Sequence, residues 1–422
     1  MKKWLLGNPE NALKDSYIWS MIASTINAAE AIIILMIATR TVGIGEAGVL
    51  TISFTVANLM MCVGKYGVRN YQVTDARNEY SFSDYFKVRL ITLVAMLCGT
   101  GLYLAYAGVI NHYSVDKALI VFLVAAIYGV EAYEDVFVSG LQFRGRLDIG
   151  TKMFSIRWII TLLVWSSGLL IFRSAVISTA MALLVDLLLV VVLTRMIGTE
   201  AGKSNASVSR THVLGIMRKC LPLCIAAFLA IYLPNAARYA IDACLTDEIQ
   251  AYYGFIAMPV FVIDLVSAII FQPLLVKMSQ EWNCSKYKGF ISRILKLCVV
   301  ILLITVICLA GAYFLGIPVL SWMYGADLSP YKLEFMLLLV GGGALGFIGL
   351  FTSVLTIIRR QKYLMGAYVA VSLVAILSLN KIVISKGILG AAIANMVFLL
   401  GLSLILSVGT IFFISRWKRE IV

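Results

Sequence analysis

The residues of this sequence best suited to chemistry are acidic side chains within long apolar runs. Three carboxylates, Glu131, Glu134 and Asp135, fall within five positions of VEAYEDVFVSGLQ. A charge at the centre of a bilayer costs about 3 kcal/mol on insertion scales, so each carboxylate there needs a partner or a function. One interpretation is a structural lock with Arg144 or Arg157. The other is the binding of a coupling proton or cation.

Two further carboxylates, Asp186 and Asp264, each stand alone in an apolar run. Their isolation makes each a candidate ion-relay residue, and the alternative is a buried structural partner. A fourth group forms a stripe, because Ser20, Ser24, Asn27 and Glu30 follow one another at spacings of four, three and three. That spacing puts them on one face of a helix. The stripe predicts a cavity wall with a protonatable Glu30, or interhelical hydrogen bonding alone.

Cationic side chains in or near apolar runs are the candidates for binding an anion. Arg238 and Asn235 follow Pro234 in YLPNAARYAID, where proline removes a backbone hydrogen bond inside a helix. Guanidinium matches a phosphate bidentately, which predicts recognition of an anionic headgroup. The alternative is that Arg238 snorkels to the outer interface, and the same alternative is stronger for Arg40.

A second basic group lies in GKYGVRNYQVTD, where Lys65 and Arg69 stand beside Asn70 and Tyr71. This pair is predicted to lie at the cytoplasmic mouth of the protein. It either collects a phosphate from the inner leaflet or anchors the chain by ordinary interfacial charge.

The remaining composition argues against several other classes. The formal net charge is +13, and the basic residues that produce it lie between apolar runs. They are not interleaved with aromatic residues on a polar surface, so we expect no nucleic-acid partner. Cys220 and Cys224 share a helix face, but the sequence has only two histidines and no second cysteine pair beside them, so no metal site is predicted. Nucleophile-elbow, Walker and zinc-protease motifs are absent from the sequence, so no catalytic residues and no bound cofactor are expected.

The elements that position these residues are membrane-spanning helices. Of the 422 residues, 61% are hydrophobic and 14% charged, and apolar runs of the length that crosses a bilayer recur throughout. Such runs predict an all-α integral membrane protein, since a helix satisfies its own backbone in lipid. The twelve predicted spans are 17–39, 47–64, 90–110, 118–138, 156–173, 175–194, 220–241, 250–274, 294–315, 334–357, 363–380 and 388–414.

Basic residues set the predicted topology. With a cytoplasmic N-terminus, 28 of the 35 Lys and Arg residues fall on the inside, which satisfies the positive-inside rule. Both termini are then cytoplasmic. The polar stretch GTEAGKSNASVSR lies near the midpoint and predicts a linker, 198–219, between six-helix lobes 1–197 and 220–422. Six spans on each side would make the lobes parallel repeats.

Nearly the whole chain resembles the polysaccharide transporter family, the Wzx-type O-antigen and capsule repeat-unit flippases of the multidrug/oligosaccharidyl-lipid/polysaccharide (MOP) exporter superfamily. The resemblance is carried by RTVGIGEAGVL, by VGKYGVRNYQ and above all by LPLCIAAFLAIYLPNAARYAIDACLTDEIQAYYGFIAMPVF. It implies two six-helix lobes around a central cavity, alternating access driven by a proton or sodium gradient, and an undecaprenyl-pyrophosphate-linked oligosaccharide as substrate. Arg238 matches the family's cationic cavity residues best, and Arg40 and Lys65 match them less closely.

The resemblance also implies a bacterial cytoplasmic membrane location and contacts with membrane lipids and polysaccharide assembly proteins. Two other functions stay open on the sequence. The carboxylates would suit a cation-coupled exporter of drugs or organic cations in the same superfamily. A membrane polysaccharide polymerase or ligase is disfavoured, because the longest outside loop, 317–330, is too short to hold such an active site.

Overall fold

The computed structural model describes residues 2–75, 79–197, 200, 202, 209–271, 274–284 and 286–419. Within these ranges the regular structure is entirely helical, which confirms the predicted fold class. The helices are α1 Lys2–Leu6, α2 Ala12–Thr41, α3 Ile44–Lys65, α4 Val68–Thr74, α5 Phe82–Ile110, α6 Val115–Phe143, α7 Leu147–Phe172, α8 Ala175–Ile197, α9 Arg210–Cys244, α10 Asp247–Ala257, α11 Val260–Phe271, α12 Leu275–Asn283, α13 Tyr287–Gly311, α14 Ile317–Tyr324, α15 Lys332–Ile357 and α16 Gln361–Arg419.

Nine helical segments in the described part of the chain are long and apolar enough to cross a membrane. Three features account for the difference from twelve predicted spans. Helix α16 holds the last two spans, separated at Gly387, where the backbone leaves helical geometry (φ 57°, ψ −141°). The eighth span is divided between the shorter α10 and α11. The fourth, α6, carries too many charged residues to count as apolar.

Polar residues at the helix ends explain where several spans begin. Ser81 and Asp84 form a reciprocal capping box at the start of α5, so this helix begins well before its apolar run. Ser114 caps α6 through the backbone N–H of Lys117. Between α7 and α8 the backbone turns through a left-handed Arg173 (φ 46°), in agreement with the single residue that separates the predicted spans 156–173 and 175–194.

The chain packs as two compact units, Met1–Ile231 and Tyr232–Val422. The boundary between the units, at Ile231 and Tyr232, lies inside α9, whereas the linker predicted from the sequence is 198–219. The predicted lobes stay a prediction, and residues 198, 199, 201 and 203–208 of that linker lie outside the described residues.

In the first unit α2 packs on α7, α3 packs on α5 and α6, and α7 packs on α8. Close approach at Gly64 fixes the α3, α5 and α6 contact, because a Cβ there would lie 2.6 Å from the Met96 sulfur and 3.1 Å from the Ala132 Cβ. This approach brings the ends of α3 and α5 against the carboxylates of α6.

In the second unit α15 packs on α11, α13 and α16. Successive glycines let α15 approach its neighbours. A Cβ at Gly342 would lie 2.9 Å from the Val260 carbonyl oxygen, and one at Gly343 would lie 2.8 Å from the Thr305 hydroxyl. Small residues at such contacts are typical of helices that associate in lipid.

Candidate functional site

The first unit contains a cavity of about 280 Å³ between α2, α3, α4, α6 and α7. Its wall carries both hydroxyl and amide groups and charges of both signs. The polar lining residues are Ser20, Ser24, Asn27, Lys65, Arg69, Glu131, Glu134, Asp135 and Thr151. The structure therefore brings together the α2 stripe, the Lys65 and Arg69 pair and the three clustered carboxylates, which are far apart in the sequence.

Glu30 continues the α2 stripe but lies deeper, with 3% of its surface exposed. Its Oε1 accepts a hydrogen bond of 2.5 Å from the hydroxyl of Tyr128 on α6. Its Oε2 has no hydrogen-bond partner among the described atoms. Glu30 is thus a buried carboxyl held by a neutral phenol, and no cation pairs with it in the described part of the network.

Lys65, at the end of α3, pairs with Glu131 at 2.7 Å from Nζ to Oε1. The second oxygen of Glu131 accepts a hydrogen bond of 3.2 Å from the indole N–H of Trp158 on α7. Glu131 and Trp158 are buried, whereas the Lys65 side chain is 34% exposed. The carboxylate consequently has one accessible and one inaccessible partner.

Asp135 is shared in the same way between two arginines. Arg69 reaches Asp135 Oδ1 at 3.2 Å and donates to the Gln142 side-chain oxygen at 2.7 and 3.1 Å. Arg89 reaches Asp135 Oδ2 at 2.7 Å and donates to the Gly64 carbonyl at 2.5 Å. The Arg69 side chain is 39% exposed and that of Arg89 is fully buried.

Arg157 on α7 joins the two remaining carboxylates of the network. Its guanidinium lies 2.7 Å from Glu134 and 2.6 Å from Asp186, and all three side chains are buried. The hydroxyl of Thr161 also donates to Asp186 at 2.8 Å. Asp186, which looks solitary in the sequence, therefore has a partner on the preceding helix, and Arg157 is one of the two partners foreseen for the carboxylate cluster.

Within this described network the carboxylates outnumber the cations by five to four. The carboxylates are Glu30, Glu131, Glu134, Asp135 and Asp186, and the cations are Lys65, Arg69, Arg89 and Arg157. Glu30 is the surplus acid, because the other four are ion-paired. A buried surplus carboxyl needs a proton or a metal cation for neutrality.

Sequence reasoning missed Arg89, Tyr128 and Trp158. The third span was predicted to begin at residue 90, directly after Arg89, although α5 begins at Phe82. A signal was present in the sequence, since the polar residues Arg89, Thr92 and Thr100 fall at helical spacing on one face, and the structure shows that face to be buried. The buried residues of α5 are Asp84, Tyr85, Val88, Arg89, Thr92, Met96, Thr100 and Ala107.

The second unit holds Arg238 and Asn235 on α9. Arg238 is 7% exposed, donates to Asn235 Oδ1 at 3.2 Å and faces the Phe261 ring at 5.9 Å. The Asn395 amide donates to the Pro234 carbonyl at 2.9 Å, which gives that backbone oxygen a partner from α16. Arg238 thus lies at a buried position with aromatic and amide neighbours.

Two other predicted residues are separate from these groups. Arg40 is exposed in the last turn of α2. It stands at the opposite end of α3 from Lys65, and a 22-residue helix is about 33 Å long. The Asp264 side chain lies outside the described part of the structure.

A smaller polar cluster lies between the α4–α5 connection and the start of α9. The Lys219 ammonium donates to Glu79 at 2.7 Å and to the hydroxyls of Tyr71 and Tyr80 at 2.9 Å. The hydrogen bond from Lys219 lowers the pKa of Glu79. Because Glu79 and Lys219 are half exposed, this contact belongs to the surface and not to the cavity network.

Solved structures define the class of fold. The lipid II flippase MurJ, in an inward closed conformation, matches with a TM-score of 0.74 at 12% identity, over 93% of this chain and 87% of its own. An inward-facing MATE family multidrug resistance transporter of the MOP superfamily matches at 0.71 and 10% identity, over 95% and 99% of the two chains. The eukaryotic MATE transporter AtDTX14 matches at 0.65 and 12% identity, over 97% and 99%.

Neither a protein-family model nor a curated protein sequence matches the chain. The structural matches show that this multi-pass membrane protein has the fold of the MOP superfamily transporters.

Proposed function

We propose that this protein is an ion-coupled flippase. Its substrate is an undecaprenyl-pyrophosphate-linked oligosaccharide, which it carries across the bacterial cytoplasmic membrane for surface polysaccharide assembly. The main support is that two partly exposed cations, Lys65 and Arg69, line the cavity. The carboxylate bound to each of them also accepts a hydrogen bond from a second, buried side chain.

The second donors make an exchange of partners feasible. When Lys65 turns to a ligand phosphate, Glu131 keeps the hydrogen bond from Trp158. When Arg69 turns, Asp135 keeps the ion pair with Arg89. An uncompensated buried charge is strongly unfavourable, so retained partners lower the free-energy barrier to releasing a cation.

The arrangement fits a pyrophosphate better than a single charge. Lys65 and Arg69 are four positions apart, and both line the same cavity. Two phosphates can therefore each meet one cation, with the arginine bonding bidentately. Ser20, Ser24 and Asn27 on the α2 side of the same cavity provide the hydroxyl and amide groups that hydrogen-bond sugars. The description of MurJ as a lipid II flippase supports a lipid-linked substrate for this fold.

Energy coupling is assigned in this proposal to Glu30. Uptake of a proton or sodium ion would neutralise the surplus carboxyl beside Tyr128. Glu131, Glu134, Asp135 and Asp186 would act with it by adjusting their ion pairs. Arg238 with Asn235 remains a proposed second headgroup site in the other unit, and Arg40 and Asp264 remain sequence-based candidates.

Reconstituted protein tests the substrate. Translocation of a lipid-linked oligosaccharide in vesicles should fall at least about tenfold in Lys65→Ala/Arg69→Ala, the loss expected when charge-assisted hydrogen bonds to phosphate are removed. Lys87, an exposed lysine on α5 outside the cavity, gives the matched control Lys87→Ala. Normal transport by the double variant would refute the headgroup assignment.

A second candidate, a cation-coupled exporter of organic cations, is favoured by one specific observation. The cavity lining includes three carboxylates against two cations. Efflux of a cationic dye from the same vesicles, unaffected by Lys65→Ala/Arg69→Ala and lost in Glu131→Gln/Asp135→Asn, would support export over flipping.

The proposed topology has both termini in the cytoplasm. Single cysteines at Ser204 and Ser329 in a cysteine-free background should react with an impermeant thiol reagent from opposite sides of the membrane. Labelling of both from one side would contradict it.

A further inference from the structure

We propose that the polyprenyl chain of the substrate lies in a groove along the first turns of α2, which continues directly from the headgroup cavity. The proposal rests on the flippase function and identifies where the lipid part is held. This groove, called the α2 groove, has a volume of about 790 Å³ and is lined chiefly by Leu13, Ser16, Tyr17, Gln142, Gly145 and Leu147.

The α2 groove and the headgroup cavity adjoin. Ser20 and Leu147 line both. Gln142 lines the groove, and its side-chain oxygen accepts two hydrogen bonds from the Arg69 guanidinium, which lines the cavity. A ligand phosphate at Arg69 is consequently next to the groove, and the group attached to that phosphate can enter it.

One face of α2 changes character along its length. Leu13 and Tyr17 line the groove and are 73% and 70% exposed. Ser20, Ser24 and Asn27 continue the same face at helical spacing and line the cavity. The face thus presents Leu13 and Tyr17 in its first two turns, where the hydroxyl of the intervening Ser16 donates to the Ala12 carbonyl, and it presents hydroxyl and amide groups in the next two. A ligand with an apolar chain and a polar headgroup matches that order.

The lining chemistry selects an uncharged occupant. Glu10 is the charged residue among those that line the groove, and it carries the same sign as a phosphate. An anionic headgroup would be repelled from it, whereas an isoprenoid chain would gain by burying apolar surface on Leu13 and Tyr17. The groove adjoins the cavity that Lys65 and Arg69 line, so an apolar chain attached to an anionic group fits the two sites better than a free acyl chain of the bilayer.

Calorimetry with two probes separates the chain from the headgroup. Geranyl pyrophosphate should bind the detergent-solubilised protein at least about tenfold more tightly than inorganic pyrophosphate, because its chain adds buried apolar surface. In Leu13→Ser/Tyr17→Ser this ratio should fall to within about twofold, while the affinity for inorganic pyrophosphate stays unchanged.

Ile18→Ser is the control, since Ile18 is 45% exposed but lies roughly 140° around α2 from Leu13. It should keep the full ratio, and an unchanged unfolding temperature establishes that both variants fold. The groove assignment would be overturned if Leu13→Ser/Tyr17→Ser kept the tenfold preference for geranyl pyrophosphate over inorganic pyrophosphate. It would also be overturned if the wild type showed no such preference. If Lys65→Ala/Arg69→Ala instead binds inorganic pyrophosphate normally, the proposed headgroup site fails, whatever the chain ratio shows.

Discussion

Two pairs of cations in the first unit use the same chemistry in different environments. Arg89 and Arg157 are fully buried and bind carboxylates on helices that pack against their own. Lys65 and Arg69 bind carboxylates of the same helix, α6, but are 34% and 39% exposed in the cavity. Accessibility of the cation, and not pairing itself, therefore separates a structural ion pair from one that can exchange its partner for a ligand.

The largest expected effect is on Arg157. Arg157→Ala would leave Glu134 and Asp186 buried without their cation, which destabilises a protein by about 3–5 kcal/mol. We expect loss of monodisperse, folded protein in size-exclusion chromatography and thermal unfolding. The triple variant Arg157→Leu/Glu134→Gln/Asp186→Asn removes both charges with the arginine and should recover much of the stability. Normal stability of Arg157→Ala would show that the buried pairs are not structural.

Asp135 binds one buried and one partly exposed arginine, so the two kinds of cation can be compared at a single carboxylate. Arg89→Ala removes its buried partner and the donor to the Gly64 carbonyl. Asp135 keeps Arg69, so the expected loss of stability is about 1.5–3 kcal/mol, that of charged hydrogen bonds, and not that of an unpaired buried charge. Arg69→Ala removes its half-exposed partner and should change the free energy of unfolding by at most about 1 kcal/mol. Thermal unfolding of the two variants side by side measures the difference. Equal losses would contradict the division into structural and exchangeable cations.

Glu30→Gln should separate coupling from folding. The amide oxygen can still accept the hydrogen bond from Tyr128, so stability should stay within about 1 kcal/mol of the wild type. Transport in vesicles should lose its dependence on an imposed proton or sodium gradient, since the variant cannot bind the ion as a carboxylate. Tyr128→Phe serves as the control that removes only the hydrogen bond. Unchanged gradient dependence in Glu30→Gln would place the coupling site elsewhere.

The smallest effect is expected at the surface contact between Glu79 and Lys219. Because Lys219 lowers the pKa of Glu79 in the folded state, the contact stabilises the protein above the usual glutamate pKa of 4.5. That contribution is lost as the pH falls through 4.5 and then through the lowered folded value. The unfolding midpoints of wild type and Lys219→Met should therefore differ slightly at neutral pH and converge in acid. A difference that persists at the lowest pH would assign the effect to packing on Tyr71 and Tyr80.

Much of the architecture could be predicted from local sequence. The helical fold follows from recurrent apolar runs, and the tight link between α7 and α8 follows from the adjacent predicted spans 156–173 and 175–194. The boundaries were less predictable at α5, where a capping box extends the helix beyond its apolar run, and at α9, which begins at Arg210, ten residues before the predicted span 220–241. The predicted start at 90 excluded Arg89, which hid a buried cation of the site.

The sequence by itself determined the helical type of the elements, the stripe on α2 and the two sets of charged residues within or beside apolar runs. Those properties depend on composition and spacing within single helices. Only the tertiary structure decided that Asp186 pairs with Arg157, that Asp135 has two partners and that Glu30 has a phenol instead of a cation. Ion pairs between helices depend on which helices pack together and on their rotation about their own axes, and neither quantity is encoded in the pattern of a single span.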